Sequence, residues 1–412
     1  MARVSSIVTN FQAGELSPRI EGRIDLQKYS AGAQTLQNML TFPQGGITRR
    51  PGTQYAGTSK DGGKVRLIDF EFSDTQAYVL EFGANYIRFF KDGEILTEAT
   101  KTITAITKAN PAVVTSNGHG FSDGDRVFIK SVVGMVELNN REFTVAGKTT
   151  NTFQLSGVNS SAFTTYSSAG TAGKIVEVTT TYSVTEIFEI NHVQSADVVF
   201  LAHKSHEPAK LTRATETSFT LADIAFIDGP YLDENITTTT ITSNANTGTV
   251  TLTASADLFV SGHVGSLFQF RERVEIGNEA WAASTNYAQN DLVHFNGNLY
   301  KKTDAGGSDA SGTQPPVHLE GTETYGIIDW QYQHSGTGFV KITAVTNATT
   351  ATAVVQTDNS LVLPVVATDG TTQWSEGSFS AKNGFPRAVA FYEERLYFAG
   401  TTEQPQTIFG SV

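Results

Sequence analysis

The chain has 412 residues and no cysteine, so a disulfide framework and a thiolate metal site are both excluded, and the redox compartment is left open. No apolar run reaches the roughly eighteen residues of a membrane-spanning helix. The first residues also lack the apolar stretch of a secretory signal peptide. Charged residues make up only 17% of the chain, and threonine, serine, glycine and asparagine take their place. That composition is typical of an all-β protein with many turns.

The net charge of −12 is unevenly distributed along the chain. Residues 1–70 carry nine Lys/Arg and five Asp/Glu, a net charge of +4. The remainder carries 20 Lys/Arg and 36 Asp/Glu, a net charge of −16. Phosphate binding needs a cationic surface, so a chain this acidic is not expected to adhere tightly to nucleic acid. It could still line a path through which DNA slides without adhering.

One N-terminal segment has the apolar spacing of a helix. Intervals of three and four predict a short helix over residues 25–40, with an apolar face formed by Leu26, Tyr29, Ala33, Leu36 and Leu40. Asp25 is a suitable cap for its start, and Pro43 lies just beyond its end.

Two adjacent arginines, Arg49 and Arg50, follow this segment between a double-glycine turn and a Pro-Gly turn. The glycines at 45 and 46 allow backbone angles that other residues avoid, and Pro51 favours an extended Arg50. We therefore expect two cations on a bent, semi-rigid loop. The simplest alternative is a surface turn with solvated arginines.

The length of the chain predicts two to four domains, and the pattern beyond Val65 predicts β-structure. Alternating apolar residues over 65–72, 77–82 and 86–95 indicate a meander, as in a sheet or propeller blade, and another strand pair is predicted around Glu393 and Glu394. The predicted fold is mainly β, with a propeller-like β-body and inserted modules. Its parts are 1–99 (N-terminal helix and first strands of the β-body), 100–173 (inserted small β-barrel or sandwich), 174–272 (continuation of the β-body), 273–335 (carbohydrate-binding-module-like insertion) and 336–412 (return to the β-body).

Signatures of catalysis are scarce. A cysteine nucleophile, a Gly-x-Ser-x-Gly elbow and a phosphate-binding loop are all missing from the sequence, so neither an enzyme nor a cofactor is predicted. His192, His203 and His206 could form a metal cluster, but a spacing of three suits a helix and this region has the pattern of strand and turn. Asp123-Gly-Asp125 lacks the full pattern of a calcium loop and is interpreted as a turn. No metal site is predicted.

The aromatic residues of 273–335 are the best candidates for ligand binding. Exposed rings of Trp281, Tyr287, Tyr300 and Trp330 could stack on the apolar CH groups of a sugar. The alternative is that these large side chains form the core of the module, because a small β-module with few Leu and Ile needs large apolar residues inside. The sequence leaves both possibilities open.

Three stretches, Phe11–Arg19, Leu36–Gly52 and Phe385–Gly400, together resemble the tail nozzle proteins of short-tailed bacteriophages, also called tail tubular protein B. Residues 100–173 resemble the small β-barrel of the first catalytic-cysteine half-domain of ubiquitin-activating enzyme. That likeness concerns shape, because the cysteine and a nucleotide site are missing and no ubiquitin chemistry follows. Residues 281–332 resemble chitin-binding carbohydrate modules.

The resemblance to nozzle proteins implies a structural protein of the virion tail, assembled in the bacterial host cytoplasm. It implies a homohexameric ring that contacts adaptor or portal-proximal tail proteins and tail fibres, and that forms the distal DNA channel for genome retention and ejection. Double-stranded DNA would pass transiently without specific binding, and the aromatic module could contact host surface glycan. In the family a further strand region follows the segment at 404–410, so we expect either a truncated chain or a propeller completed differently.

Two other functions remain as alternatives at this stage. The first is a glycan-binding adhesin or receptor-contacting tail module that uses residues 273–335. The second is a glycan hydrolase, which would need two carboxylates about 5 to 10 Å apart, a pairing that sequence alone cannot show.

The resemblance also gives the arginine pair a specific role. In a stacked tail assembly, a basic N-terminal face suits docking on a neighbouring subunit or ring better than it suits lining the channel. We therefore predict that Arg49 and Arg50 lie at a subunit or ring interface.

Overall fold

The protein is described by a computed structural model that covers residues 7–53, 55–73, 76–271, 278–305, 309–356 and 370–411. The chain divides into two compact units, Met1–Gly57 and Thr58–Val412. The mainly β prediction is confirmed. Helical structure in the described ranges consists of short 3-10 turns at Pro18–Ile20, Tyr29–Ala31, Lys60–Gly62, Val136–Leu138, Glu186–Phe188 and Ser261–His263. No helix among the described residues is long and apolar enough to cross a membrane.

The predicted helix over residues 25–40 is wrong. Strand β1 (Gly14–Glu15) pairs in parallel with β2 (Gly32–Ala33), and β3 (Met39–Thr41) pairs antiparallel with β4 (Ile47–Arg49). Gly32 lies so close to Leu16 that a Cβ atom would come within 2.4 Å of the Leu16 side chain. A short helix is stable mainly through packing of its apolar face, and Leu26 and Leu40 are instead exposed. Asp25 pairs with Arg23 at 2.6 Å rather than capping a helix.

The second unit begins with an antiparallel sheet of β5 (Arg66–Ser73), β6 (Gln76–Gly83), β7 (Tyr86–Lys91) and the short β8 (Glu94–Ile95). Alternating residues of β5, such as Ile68 and Phe70, are buried, as the period of two predicts. Asn85 adopts a left-handed conformation with φ of 64° in the tight turn between β6 and β7.

A half-barrel lies between β8 and the next strand of this sheet. Its strands are β9 (Lys101–Thr102), β10 (Ala105–Ile106), β11 (Ala112–Thr115), β12 (Arg126–Lys130), β13 (Arg141–Ala146), β14 (Thr152–Leu155) and β15 (Thr171–Lys174), in the order β10-β11-β14-β13-β12-β15-β9. They enclose a separate hydrophobic core that includes Val127, Phe143 and Phe153. The chain then returns to the first sheet as β16 (Glu177–Thr179), which pairs with β7.

A buried arginine joins the half-barrel to the sheet that carries it. Arg88 on β7 is fully buried; its Nε donates to Glu177 Oε2 on β16 at 2.8 Å, and its Nη1 donates to Glu142 Oε2 on β13 at 2.7 Å. Lys60 Nζ approaches the other Glu177 oxygen at 2.6 Å, and Arg126 Nη1 lies 3.4 Å from Glu142 Oε1. Because a guanidinium presents several donors in a fixed plane, one side chain can orient both carboxylates.

The next sheet is a four-stranded meander of β17 (Asn191–Ser195), β18 (Val198–His203), β19 (His206–Thr215) and β20 (Ser218–Asp223). One face shares a hydrophobic core with the β5–β7 sheet, and Phe219 stacks on Phe89 with their ring centroids 3.8 Å apart. The two sheets are thus packed face to face.

The largest sheet of the remaining chain is interrupted by the aromatic module. It begins with β21 (Ile241–Ser243), β22 (Thr249–Ala254) and β23 (Leu267–Arg271). The module follows as β24 (Glu279–Ala280), β25 (Asn286–Tyr287), β26 (Leu292–Phe295), β27 (Asn298–Lys302), β28 (Asp309–Ala310), β29 (Thr322–Tyr325) and β30 (Ile328–His334). The sheet resumes with β31 (Thr337–Asn347), β32 (Thr350–Val355) and β33 (Trp374–Glu376), in the order β21-β22-β32-β31-β23-β33.

The last described strands are β34 (Ala388–Tyr392), β35 (Arg395–Ala399) and β36 (Ile408–Gly410), which form a three-stranded antiparallel sheet. The predicted strand pair around Glu393 and Glu394 is confirmed, and both residues have positive φ in the connecting turn. Val389 and Phe398 share a small core with Ala202 of β18. The β17–β20 sheet therefore has packed neighbours on two sides.

A second buried charge cluster joins β33 to two turns. Glu376 Oε2 lies 3.2 Å from His263 Nε2 and 2.7 Å from Lys382 Nζ, and it accepts a 3.3 Å hydrogen bond from Asn383 Nδ2. Burial alone would raise the pKa of Glu376, but the hydrogen bonds from His263 and Lys382 outweigh it and lower this pKa to about 2. The carboxylate is therefore held in its ionised form.

The Arg88 bridge makes a prediction about stability. Replacing Arg88 with alanine leaves the partly buried Glu142 and Glu177 without their shared cation, so Arg88→Ala should lower the free energy of unfolding by about 3 kcal/mol or more. Urea denaturation followed by circular dichroism measures this change. Lys130→Ala is the control, because Lys130 pairs with the exposed Glu94 at 2.5 Å and should cost less than about 1 kcal/mol. Equal costs for the two variants would contradict the assigned role of Arg88.

The Glu376 cluster makes a prediction about acid stability. The depressed pKa means that ionised Glu376 stabilises the fold above about pH 4.5, and that this contribution disappears as the pH falls towards about 2. Glu376→Gln should therefore be less stable than the wild type at pH 7, by an amount on the order of 3 kcal/mol, and the gap should close towards pH 2. Denaturation at several pH values, with the exposed Glu403→Gln as control, checks this. A gap that stays constant with pH would show that Glu376 does not act through its charge.

Candidate functional sites

The predicted arginine loop is a β-hairpin. Strands β3 and β4 flank a turn at residues 42–46, in which Gly45 has φ of 97° and its N–H donates to the Phe42 carbonyl at 2.9 Å. The Phe11 N–H donates to the Gly45 carbonyl at 2.8 Å, so the turn is also held from outside. Arg49 and Arg50 are both exposed. Their proposed place at a subunit interface remains a prediction.

The N-terminal unit around this hairpin has little interior. Among its described residues, Gly45 is the one that is buried. Several large apolar side chains are exposed instead: Ile7, Val8, Ile24, Leu26, Met39, Leu40, Phe42, Ile47 and Tyr55. Large exposed apolar patches are typical of interaction sites.

The aromatic module uses its rings as a core. Tyr287, Tyr300 and Trp330 are all buried, and Trp330 packs edge-to-face on Tyr287 with centroids 5.2 Å apart. The Tyr287 hydroxyl accepts the Ala282 N–H at 2.8 Å, and the Tyr300 hydroxyl donates to the His318 carbonyl at 3.0 Å. The rings are therefore buried in the core of the module, and the two tyrosine hydroxyls form hydrogen bonds within it.

This burial corrects the expectation that Tyr287, Tyr300 and Trp330 present their faces to a sugar. These three side chains instead form the core of the module, which has few Leu and Ile to fill it. Trp281 differs, because it is half-buried and packs against Phe295 at the edge of this core. A glycan contact by the module therefore remains a proposal for Trp281 alone among the four candidates.

One glutamate and two histidines, Glu186, His203 and His206, form a cluster of potential metal ligands. His203 ends β18 and His206 begins β19, and the two residues face each other as a cross-strand pair. Glu186, in the 3-10 turn Glu186–Phe188, completes a group whose potential ligand atoms all lie within 4.8 Å of one another. A spacing of three therefore does not require a helix, since a tight hairpin also brings residues three apart together. His192 is not part of this group.

The surroundings of the cluster fix the three side chains. The Ser183 N–H donates to Glu186 Oε2 at 2.8 Å, and Thr181 Oγ1 lies 3.1 Å from His206 Nδ1. Hydrogen bonds from Ser183, aided by His206, lower the pKa of Glu186 to about 2. Burial lowers the pKa of His203, and the ring of Tyr182 packs against His206 with centroids 4.7 Å apart. An ionised carboxylate thus faces two imidazoles at the edge of the core.

The aromatic module makes a prediction that separates packing from binding. Trp330→Ala should lower the free energy of unfolding by about 3 to 5 kcal/mol, because it empties the centre of the core. Trp281→Ala should cost less, since that ring is only half-buried. Glycan-array binding by the wild type and by Trp281→Ala then tests the proposed contact. Binding that survives Trp281→Ala, or a wild type that binds no glycan, would contradict it.

Comparison with known proteins identifies one module. Residues 109–175 match the family model of the ubiquitin-activating enzyme E1 FCCH domain, which confirms the resemblance noted for the half-barrel over that range. No curated protein matches the chain. Among solved structures, the chain is similar to the phage phi92 endosialidase at 13% identity and a TM-score of 0.16, with 82% of this chain and 52% of that protein covered. The chain spans about half the length of that protein, and a likeness at this TM-score supports no inference about fold or activity.

Proposed function

We propose that this chain is a structural subunit of a phage virion, the tail nozzle of a short-tailed bacteriophage. The specific assignment rests on the resemblance of Phe11–Arg19, Leu36–Gly52 and Phe385–Gly400 to that family. In this proposal, identical subunits form a ring, expected to be a hexamer, next to adaptor or portal-proximal tail proteins and fibres. The ring retains and then conducts double-stranded DNA.

The observation that carries the proposal is the exposed apolar surface of the N-terminal unit. Nine of its large apolar side chains are exposed, and its described residues include no buried apolar side chain. A segment this small that lacks its own core gains stability when another surface covers it. Assembly into a ring provides that cover in every copy.

The charge distribution supports the same assembly. Residues 1–57 carry six Lys/Arg and three Asp/Glu, whereas the rest of the chain carries 23 Lys/Arg and 38 Asp/Glu. A basic unit with Arg49 and Arg50 exposed is electrostatically complementary to an acidic neighbour. Repeated acidic walls also repel the phosphate backbone, which keeps DNA mobile inside a channel.

The sheet packing is compatible with a propeller-like body. The four-stranded meander β17–β20 shares a core with the β5–β7 sheet and another with the β34–β36 sheet. Small antiparallel sheets that pack in succession are the building principle of β-propellers. In the proposed nozzle, the two inserted modules decorate the outside of the ring, because insertions at loops are tolerated where there is room.

Charge reversal at the hairpin tests the proposal. The double variant Arg49→Glu with Arg50→Glu should block assembly, because it places two negative charges against an acidic neighbour, while each subunit still folds. Size-exclusion chromatography with light scattering measures the assembly state, and circular dichroism measures folding. Lys108→Glu with Lys148→Glu is the control, since it makes the same change in charge at exposed positions of the half-barrel. If the arginine variant forms oligomers of unchanged size, Arg49 and Arg50 do not lie at an interface and belong to an ordinary surface turn.

A further inference from the structure

We propose that Glu186, His203 and His206 form a binding site for a divalent transition-metal ion of the zinc type. The site lies within the second unit and does not depend on the proposed assembly. It joins the tip of the β18–β19 hairpin to the 3-10 turn Glu186–Phe188, two segments that are adjacent in space and separate in sequence.

The backbone brings the three ligands together. The cross-strand pairing of His203 with His206 places both imidazoles side by side, with ring centroids 5.1 Å apart. Glu186 Oε1 lies 3.3 Å from His206 Nε2. Ligand atoms on a tetrahedral zinc ion with bonds of about 2.1 Å are roughly 3.4 Å apart. The potential ligand atoms of the three residues are at most 4.8 Å apart, so side-chain rotation can bring them to that spacing.

Two nitrogen atoms at the centre of this group are poorly satisfied. The Nε2 atom of His203, whose side chain is only 1% exposed, is buried and makes no hydrogen bond, and the buried Nε2 atom of His206 faces Glu186 Oε1 at 3.3 Å without hydrogen-bond alignment. A buried polar atom without a partner costs free energy, which makes such atoms unusual in folded proteins. A bound cation would satisfy both nitrogens at once.

The surrounding hydrogen bonds favour coordination by two of the three residues. The Ser183 N–H donates a hydrogen bond to Glu186 Oε2, and the other carboxylate oxygen, Oε1, faces His206. Thr181 Oγ1, next to His206 Nδ1, can accept the Nδ1 proton and leave the Nε2 lone pair for a metal. Such outer contacts fix the tautomer and orientation of a ligating histidine.

His203 has to change one contact when a metal binds. Its Nδ1 now accepts the Ser205 N–H at 3.2 Å, which places the proton of the neutral ring on Nε2. Coordination through Nε2 requires that proton to move to Nδ1, so the contact with Ser205 is given up. Ser205 lies in the exposed two-residue turn between β18 and β19, where water can replace the lost partner.

The donor set points to a particular class of metal. Two imidazole nitrogens and one carboxylate oxygen suit zinc and neighbouring transition metals better than calcium or magnesium, which prefer all-oxygen sites. Glu189 Oε2 is 3.7 Å from His203 Nε2, but this carboxylate is exposed and is held by Lys204 at 2.6 Å. The fourth coordination position is therefore assigned to water.

Metal binding to the full-length chain tests the proposal directly. Isothermal titration with Zn²⁺ and elemental analysis after dialysis should give one tightly bound zinc ion per chain. Glu186→Gln and His206→Gln keep the approximate side-chain size and should each weaken binding at least tenfold. His192→Gln is the matched control, because it removes a nearby histidine outside the cluster and should bind as the wild type does. Circular dichroism shows whether each variant is folded.

A second readout identifies the ligands independently of affinity. Co²⁺ bound to the wild type and to His192→Gln should produce visible ligand-field absorption, and this absorption should be lost in Glu186→Gln and His206→Gln. A wild type that binds no Zn²⁺ would overturn the proposal. Wild-type affinity and an unchanged Co²⁺ spectrum in both cluster variants would overturn it as well, because the metal would then be held elsewhere.

Discussion

The buried guanidinium of Arg88 is the interaction that fixes the half-barrel on the sheet that carries it. It lies on β7 and contacts carboxylates from β16 and from β13 of the half-barrel, so one cation links the carrier sheet, its returning strand and the inserted module. A buried ion pair adds little to stability compared with an apolar substitute, but a broken one is costly. Its main effect is therefore to specify one orientation of the half-barrel, because any other orientation would leave charges buried without partners.

The same principle of construction appears twice in the chain. The half-barrel interrupts one sheet between β8 and β16, and the aromatic module interrupts another between β23 and β31. Each insertion has its own core, built around Phe143 and Phe153 in the first and around Tyr287 and Trp330 in the second. Each module therefore packs mainly around its own apolar side chains.

Alternation in the sequence was sufficient to predict the mainly β fold and the hairpin at Glu393 and Glu394, because a strand buries every second residue. The same approach failed at residues 25–40, where the apolar residues at helical spacing have no packing partner and the chain forms short strand pairs instead. At Tyr300 and Trp330 the residue types indicated either a core or a ligand site, and only tertiary structure could distinguish them. For His203 and His206, a spacing of three suggests a ligand pair only on a helix, although a hairpin pairs the same two positions. The contribution of Glu186 depends on a contact between separate segments, which no local pattern encodes.

The proposed assembly is supported by the contrast between the two units, one basic and without a core of its own, the other acidic and built from sheets that share cores. Such a contrast is expected of a subunit that is completed by its neighbours. Electron cryo-microscopy of the purified chain and of purified phage particles tests this claim most directly. The account predicts closed rings of identical subunits in which a neighbour covers Phe42, Ile47 and the Arg49–Arg50 pair. A population of monomers with no rings, together with particles that lack this chain, would contradict it.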